Sequence, residues 1–383
     1  MTRRSGAHAA AGRPRSVGSA AGGAEPAALL IVAGFAVAAA IRIAFLARFP
    51  GNYDVAAFAD AVAILRRGGA LYLETPRYNY SPVFAYGLLG LARLGELAGA
   101  SLPAMLGALL FAVDAATAGL LARMAGGGRR GAAAGLLFFA NPVSVFVSSF
   151  HLQFDGLAIL ALLLAVHAAE RRPDGGRVPL WLSVSLIVKH IAAFFPPLFV
   201  RGRRRSGISL FAAAIPYAAF AASFFPLWRQ WPGIRSHVLE YRSLAEDYGV
   251  GMLRDVAWLP RWLPSAVFAA AVVATLFLLR RGEVPIRRAC LRLFLVMLLF
   301  APGICEYYFV WPVALGALTG GAGYLVYTAT VSAFFLGSPD GLNLPLRHLP
   351  GWHGIWWSTL LWLLLDLRGV NRELLNSSAE GQP

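Results

Sequence analysis

The chain has 383 residues, 58% hydrophobic and only 14% charged, with a mean hydropathy of +0.62. A soluble protein carries about 25% charged residues, whereas apolar runs near the length that crosses a hydrocarbon core recur here from end to end. Composition thus excludes an ordinary soluble enzyme and points to a polytopic membrane protein. The net charge of +15 does not mark a nucleic-acid binder, because the basic residues sit in short clusters between apolar runs, as cytoplasmic loops do.

Residues 1–26 are small, basic and disordered in character. They resemble a signal n-region, but the run that follows, 27–47, is too long for a signal h-region. It is read as an uncleaved first span with a cytoplasmic N-terminus. Further spans are predicted at 81–98, 102–124, 131–149, 155–169, 178–200, 208–228, 264–280, 289–302, 308–327 and 354–367, with a weaker run at 325–337. The expectation is an all-α fold of about ten to twelve transmembrane helices. Residues 27–368 form one membrane domain and 369–383 a flexible tail, with no repeat and no soluble domain. Cys290 and Cys305 form no metal or redox motif.

Basic clusters at the N-terminus, Arg171-Arg172, "RGRRR" (201–205), "RRGEVPIRR" (280–288) and the C-terminal tail assign the cytoplasmic side. The less basic loops 48–80 and 229–263 then fall outside. Clusters flank 178–200 on one side, which a single straight span cannot satisfy. The prolines of "FFPPLF" (194–199) break helices, so two half-helices that enter and return are predicted there. In the first outer loop, Phe58, Val62 and Leu65 recur at helical spacing with Asp60, Arg66 and Arg67 off the stripe. That pattern fits a short helix lying in the interface, ended by "RRGG". The tyrosine-rich "YLETPRYNYSP", with Tyr80, follows at headgroup level.

Several polar residues stand where apolar ones are expected. Asp54 follows the first span; as a bare position it suits a helix N-cap. His151, Gln153 and Asp155 cluster in "NPVSVFVSSFHLQFDGLAIL" (141–160), and their spacing suits a polar turn better than one helix face. Lys189 and His190 lie amid apolar residues. An ionised side chain inside a membrane faces a cavity or a partner and marks function; the simpler alternative is snorkelling to the interface. Lys189 is the single lysine among 34 basic residues, which suggests a need for a compact point charge where a planar fork would not serve. Tyr241 and Arg242 could meet an anionic headgroup. Glu306 appears at the Pro302-Gly303 interruption of "APGICEYYFVWP" (301–312), and Arg42 with Asp114 reads as a structural pair within spans.

These segments, in this order over roughly 27–320, resemble the GT-C superfamily of membrane glycosyltransferases, which use polyprenyl-phosphate-linked sugars. "HLQFDG" and "SLIVKHIAAFFPPLF" are similar to "HFQYNG" and "KQMALYYAP" of the dolichol-pathway lumenal glucosyltransferases. "NPVSVFVSSFHLQFDGL" and "PGICEYYFVWP" are similar to segments of bacterial polyprenol-phosphate mannosyltransferases. The chain departs from the pattern in two places. The next acid after Asp54 is Asp60, so a paired-acid metal site is in doubt, although a divalent cation stays possible. His190 stands where the glucosyltransferases carry Gln, so the sugar does not transfer by analogy.

The resemblance implies a hexosyltransferase, mannose or glucose favoured, acting on a lipid-linked or glycan acceptor at the outer face of a bacterial plasma membrane. Its first outer loop would carry the catalytic acidic residue, here Asp54. A departing lipid phosphate, with a second pKa near 6, asks for no strong general acid. The reaction needs a base for the acceptor hydroxyl and positive charge near the phosphate, with Lys189, His190 and Arg242 as candidates for the second. One carboxylate implies inversion. His151, Gln153, Asp155 and Glu306 would bind sugar hydroxyls. A transporter or flippase would also want buried charges and broken helices, and a scaffold subunit would tolerate loss of Asp54.

Overall fold

The computed structural model describes residues 24–49, 53–172, 175–200, 208–241, 248–281, 284–338, 341–344 and 351–380. The basic segment expected at 1–26 lies almost wholly outside them, as do "RGRRR" and Arg242. Among the described residues the regular secondary structure is helical, with no strands and one isolated bridge, Val200 to Ile208.

The first helix, α1 (Ala24–Arg48), is followed by α2 (Tyr53–Arg66), the single turn α3 (Leu71–Glu74), α4 (Pro82–Ala98) and α5 (Leu102–Met124). Then come α6 (Gly128–Phe139), the turn α7 (Pro142–Val145) continued by a π-helical turn at Phe146–Phe150, and α8 (Asp155–Arg171). After α9 (Arg177–Val188) the chain makes 3-10 turns at His190–Phe194 and Pro196–Phe199 before α10 (Leu210–Ser223). A bent segment, 225–239, contains α11 (Trp231–Ile234). The rest is α12 (Leu263–Arg281), α13 (Ile286–Phe300), a 3-10 turn at Glu306–Val310, α14 (Val313–Thr319), α15 (Ala322–Gly337) and α16 (Trp352–Glu380). The last helix continues past the predicted end at 367 and through most of the predicted tail.

Among the described residues, three helices can cross a membrane by length and composition: Ala27–Arg48, Leu102–Met124 and Leu263–Arg281. The number rises to five if Gly128–Phe139 with Pro142–Phe150, bent by 50°, and Leu210–Ser223 with Phe225–Leu239, bent by 55°, each count as one span. The outer face of α1 carries Leu29, Leu30, Val32, Val37 and Ile43, all exposed. Apolar surface on that scale is covered by lipid or a partner, and its helical setting marks an integral membrane protein. At the other extreme, α13 is buried on nearly every face from Ala289 to Leu299, and the one charged residue of that stretch, Arg292, is paired with Asp366.

The structure changes four expectations. The span predicted at 178–200 breaks at Lys189, whose backbone is extended (φ −149°, ψ 125°), seven residues before the prolines. The span predicted at 308–327 is interrupted at Gly320 and Gly321, whose φ values of 63° and 93° no helix accommodates. The span predicted at 131–149 is interrupted at Asn141-Pro142, where the Asn141 side chain caps the new helix by accepting from Val143 N at 2.9 Å. The stripe of α2 faces protein, so the helix is no simple raft on lipid. Phe58 is buried against Tyr80, Phe84 and Phe154, and Val62 beside it. As predicted, α2 stops at the glycines: Gly68 takes a φ of 70° while Gly68 and Gly69 donate back to Leu65 and Ile64.

Candidate active site

The site is assembled from helix ends, where backbone geometry frees side chains to converge. Asp54 lies in the first turn of α2, where aligned peptide dipoles favour a carboxylate. Its side chain reaches across 99 residues to Gln153, whose Nε2 donates to Asp54 Oδ2. It therefore looks into the protein, and its position does more than cap a helix.

Gln153 belongs to the turn between the π-helical segment and α8. Leu152, just before it, has a φ of 54°. A branched residue in the left-handed region costs about 1–2 kcal/mol, and such strain gathers at functional sites. The turn is held from behind: Gln153 N donates to Val147 O at 2.9 Å, and the Leu152 side chain is buried against the Phe58 aromatic cluster. It splits the three predicted polar residues. Gln153 goes to Asp54. Asp155, in the first turn of α8, goes to Lys189. The His151 ring lies against Phe150 and Phe335, 5.1 and 5.8 Å between centroids, apart from the other two.

Lys189 sits at the C-terminal end of α9, where the break points its ammonium inward. Nζ donates to Asp155 Oδ2 at 2.5 Å, and the Trp311 indole Nε1 donates to Asp155 Oδ1 at 2.6 Å. Four rings surround the ammonium: Tyr307 at 4.7 Å, Tyr308 at 5.2 Å, Phe154 at 5.3 Å and Tyr80 at 5.8 Å from Nζ to centroid. Each lies within the range where a ring face attracts a cation. Lys189 is thus no snorkelling side chain; it is buried, with 2% of its side chain exposed. Its ammonium carries three donors, of which Asp155 takes one.

A buried floor and a half-buried rim result. The floor is Gln153, Asp155, Lys189, Tyr80, Tyr307, Phe154 and Trp311. The rim is Asp54, His190, Tyr241, Tyr308 and Glu306. The His190 and Tyr241 rings are 6.5 Å apart, and the Tyr241 hydroxyl lies 3.9 Å from Cys305 Sγ. Glu306 opens the 3-10 turn that delivers Tyr307 and Tyr308 to the lysine. Burial raises the Asp54 carboxyl above its usual value; Lys189 nearby and the Gln153 hydrogen bond pull it back down, while Asp155 adds to the rise. That balance is the ordinary means by which a carboxylate becomes a usable base.

Sequence reasoning missed Tyr307, Tyr308, Phe154 and Trp311 as partners of the charges. The signal was present in the aromatic run after Glu306 and beside Gln153, but aromatic residues in a membrane protein are common enough to hide it. Among the described residues no three His, Cys, Asp or Glu side chains gather closely enough to hold a metal ion. Gln153 stands against Asp54, and Lys189 against Asp155. Among the described residues the donor set around Asp54 therefore does not fit a resident divalent cation. No protein-family model matches the chain, and no curated protein is significantly similar to it.

Proposed function

We propose that the protein is an inverting GT-C-type glycosyltransferase that moves a hexose from a polyprenyl-phosphate donor to a glycolipid or glycan acceptor. The observation that carries the proposal is the pairing of Asp54 with Gln153 beside the buried Lys189–Asp155 pair. A tunable carboxylate at the rim and a fixed cation on the floor are the two things the reaction requires.

In this reading Asp54 takes the proton of an acceptor hydroxyl. That oxygen attacks the anomeric carbon from the face opposite the phosphate, the carbon–oxygen bond to phosphate breaks, and the lipid monophosphate leaves with the bonding pair. Lys189 supplies positive potential to the departing oxygen from a site of low dielectric, where it acts strongly without reorganising. Asp155 and Trp311 hold Lys189, so Asp155 serves as the lysine's counter-ion in preference to a sugar ligand. His190, Tyr241 and Glu306 remain the candidates for contacts with the sugar. Exposed α1 and the other apolar helices leave the lipid tail in the bilayer. In the topology that the basic clusters favour, the half-buried rim lies toward the outer face of a bacterial plasma membrane.

A transporter reading draws on the broken helices at Asn141, Lys189 and Gly320. Purified protein in vesicles, given radiolabelled polyprenyl-phosphate mannose and then the glucose analogue with a membrane lipid extract, separates the two. A labelled glycoside product supports transfer. Label that only crosses the bilayer, unchanged, overturns it.

A further inference from the structure

Gln153 is fully buried, and only one end of its amide is used. Nε2 donates to Asp54, whereas among the described residues the buried Oε1 has no hydrogen-bond partner. The amide orientation is fixed by the carboxylate, which can face only the donor end. A buried acceptor without a partner is costly, and native proteins tolerate one where a ligand completes it. Two acceptors therefore stand side by side, the Asp54 carboxylate and Gln153 Oε1 enclosed beside it, and a bound donor must reach both.

Phosphate cannot fill this pair, because its oxygens are acceptors too. A single hydroxyl cannot either, since it carries one proton and satisfies one acceptor. Two neighbouring hydroxyls can. Resting on the glycosyltransferase reading above, we propose that the acceptor is a sugar presenting a vicinal diol, with one hydroxyl deprotonated by Asp54 and its neighbour donating to Gln153 Oε1. Gln153 is thereby a specificity-determining residue: its amide nitrogen holds the base and its amide oxygen reads the acceptor. Lipid alcohols and serine or threonine hydroxyls, which lack the neighbour, are poor acceptors.

The test uses the purified full chain, polyprenyl-phosphate mannose as donor, and octyl mannoside with its four monodeoxy analogues, octanol and octylamine as acceptors. In the wild type one deoxy analogue is inert because it lacks the nucleophile. A second, lacking the neighbour, loses about 10- to 100-fold in kcat/KM, the range expected when a buried acceptor is left unpaired. In Gln153→Met, which has neither amide end, activity falls on every acceptor but the second penalty shrinks to about twofold or less. In Gln153→Glu, which keeps an acceptor but sets it against Asp54, activity also falls while the penalty persists. Octanol and octylamine give little product in any form.

A penalty of equal size in wild type and Gln153→Met overturns the diol reading and reduces Gln153 to holding Asp54. Efficient transfer to octanol or octylamine overturns it as well. If Gln153→Met does not fold, loss of the penalty in Gln153→Glu overturns it. Failure of the wild type to transfer to any acceptor, with this donor and again with polyprenyl-phosphate glucose in its place, overturns the glycosyltransferase reading itself.

Discussion

Two buried ion pairs of this molecule look alike and do different work. Arg42 pairs with Asp114, and Lys189 with Asp155. Both are 2.5 Å apart, and in both no side chain is more than 2% exposed. Around Arg42 the fork is saturated. Nε and Nη2 donate to Phe139 O at 3.0 and 2.9 Å; Nη1 donates to Asp114 and to Ser148 at 2.7 Å, and Nη2 to Ser144. Ser148 also donates to Asp114 at 2.5 Å. The carbonyl of Phe139 is one that the end of α6 leaves without an intrahelical partner, so Arg42 replaces the missing bonds where the helix bends at Asn141-Pro142. Around Lys189, among the described residues, the cation keeps donors to spare, faces four aromatic rings, and stands beside Asp54 and the half-satisfied Gln153. Burial of charge alone does not identify a site. The difference lies in whether the surrounding groups close the pair or leave part of it for something else.

That contrast can be broken or sharpened experimentally. The largest stability effect belongs to the closed pair. Arg42→Met leaves Asp114 buried and uncompensated and costs about 3–5 kcal/mol, read as a lowered melting temperature in detergent. The double variant Arg42→Met with Asp114→Leu recovers most of that loss, because apolar groups replace a buried pair at little cost. If the single variant melts normally, the bend of α6 does not depend on Arg42.

The open pair responds next, and through rate. Lys189→Arg keeps the charge but replaces a compact ammonium with a planar fork. It lowers kcat/KM for transfer on the order of 10-fold, about 1.4 kcal/mol in the barrier, more than it lowers melting temperature. An unchanged rate would place Lys189 with Arg42 among structural charges.

A smaller effect is a displacement in pH. Burial raises the Asp54 carboxyl, and a base works only when deprotonated, so kcat/KM rises with pH through a midpoint above the ordinary 3.8 of aspartate. Lys189 lowers that midpoint, and Lys189→Met shifts it upward. A shift downward would contradict the placement of the cation beside the base. The smallest effect is at the exposed pair Arg66–Glu96, 2.6 Å apart with 43% and 59% of the side chains exposed. Arg66→Ala changes stability by less than about 1 kcal/mol, as expected for screened surface charges.

Much of the helical layout was legible because periodicity and apolar length are local. The helix at 53–66, its glycine stop and the polar turn at 151–155 follow from their own residues. The fate of α2 was not legible, because Phe58 and Val62 look the same whether lipid or protein covers them. The break at Lys189 was also hidden. The prolines at 196 and 197 advertise a break, whereas the actual one is fixed by a partner, Asp155, 34 residues away in sequence. Sequence named Lys189, Asp155, Asp54 and Gln153 as a group of candidates. It could not pair them, since pairing depends on how α2, α8 and α9 meet, and no local pattern encodes that meeting.

The most direct measurement replaces the Asp54 carboxylate by its amide and follows radiolabelled mannose from polyprenyl-phosphate to product. Asp54→Asn is expected to melt within about 1 kcal/mol of wild type while transfer falls about 10²–10⁴-fold, the usual contribution of a general base. A variant that folds and still transfers at near the wild-type rate would contradict the account, because no base would then be acting at residue 54.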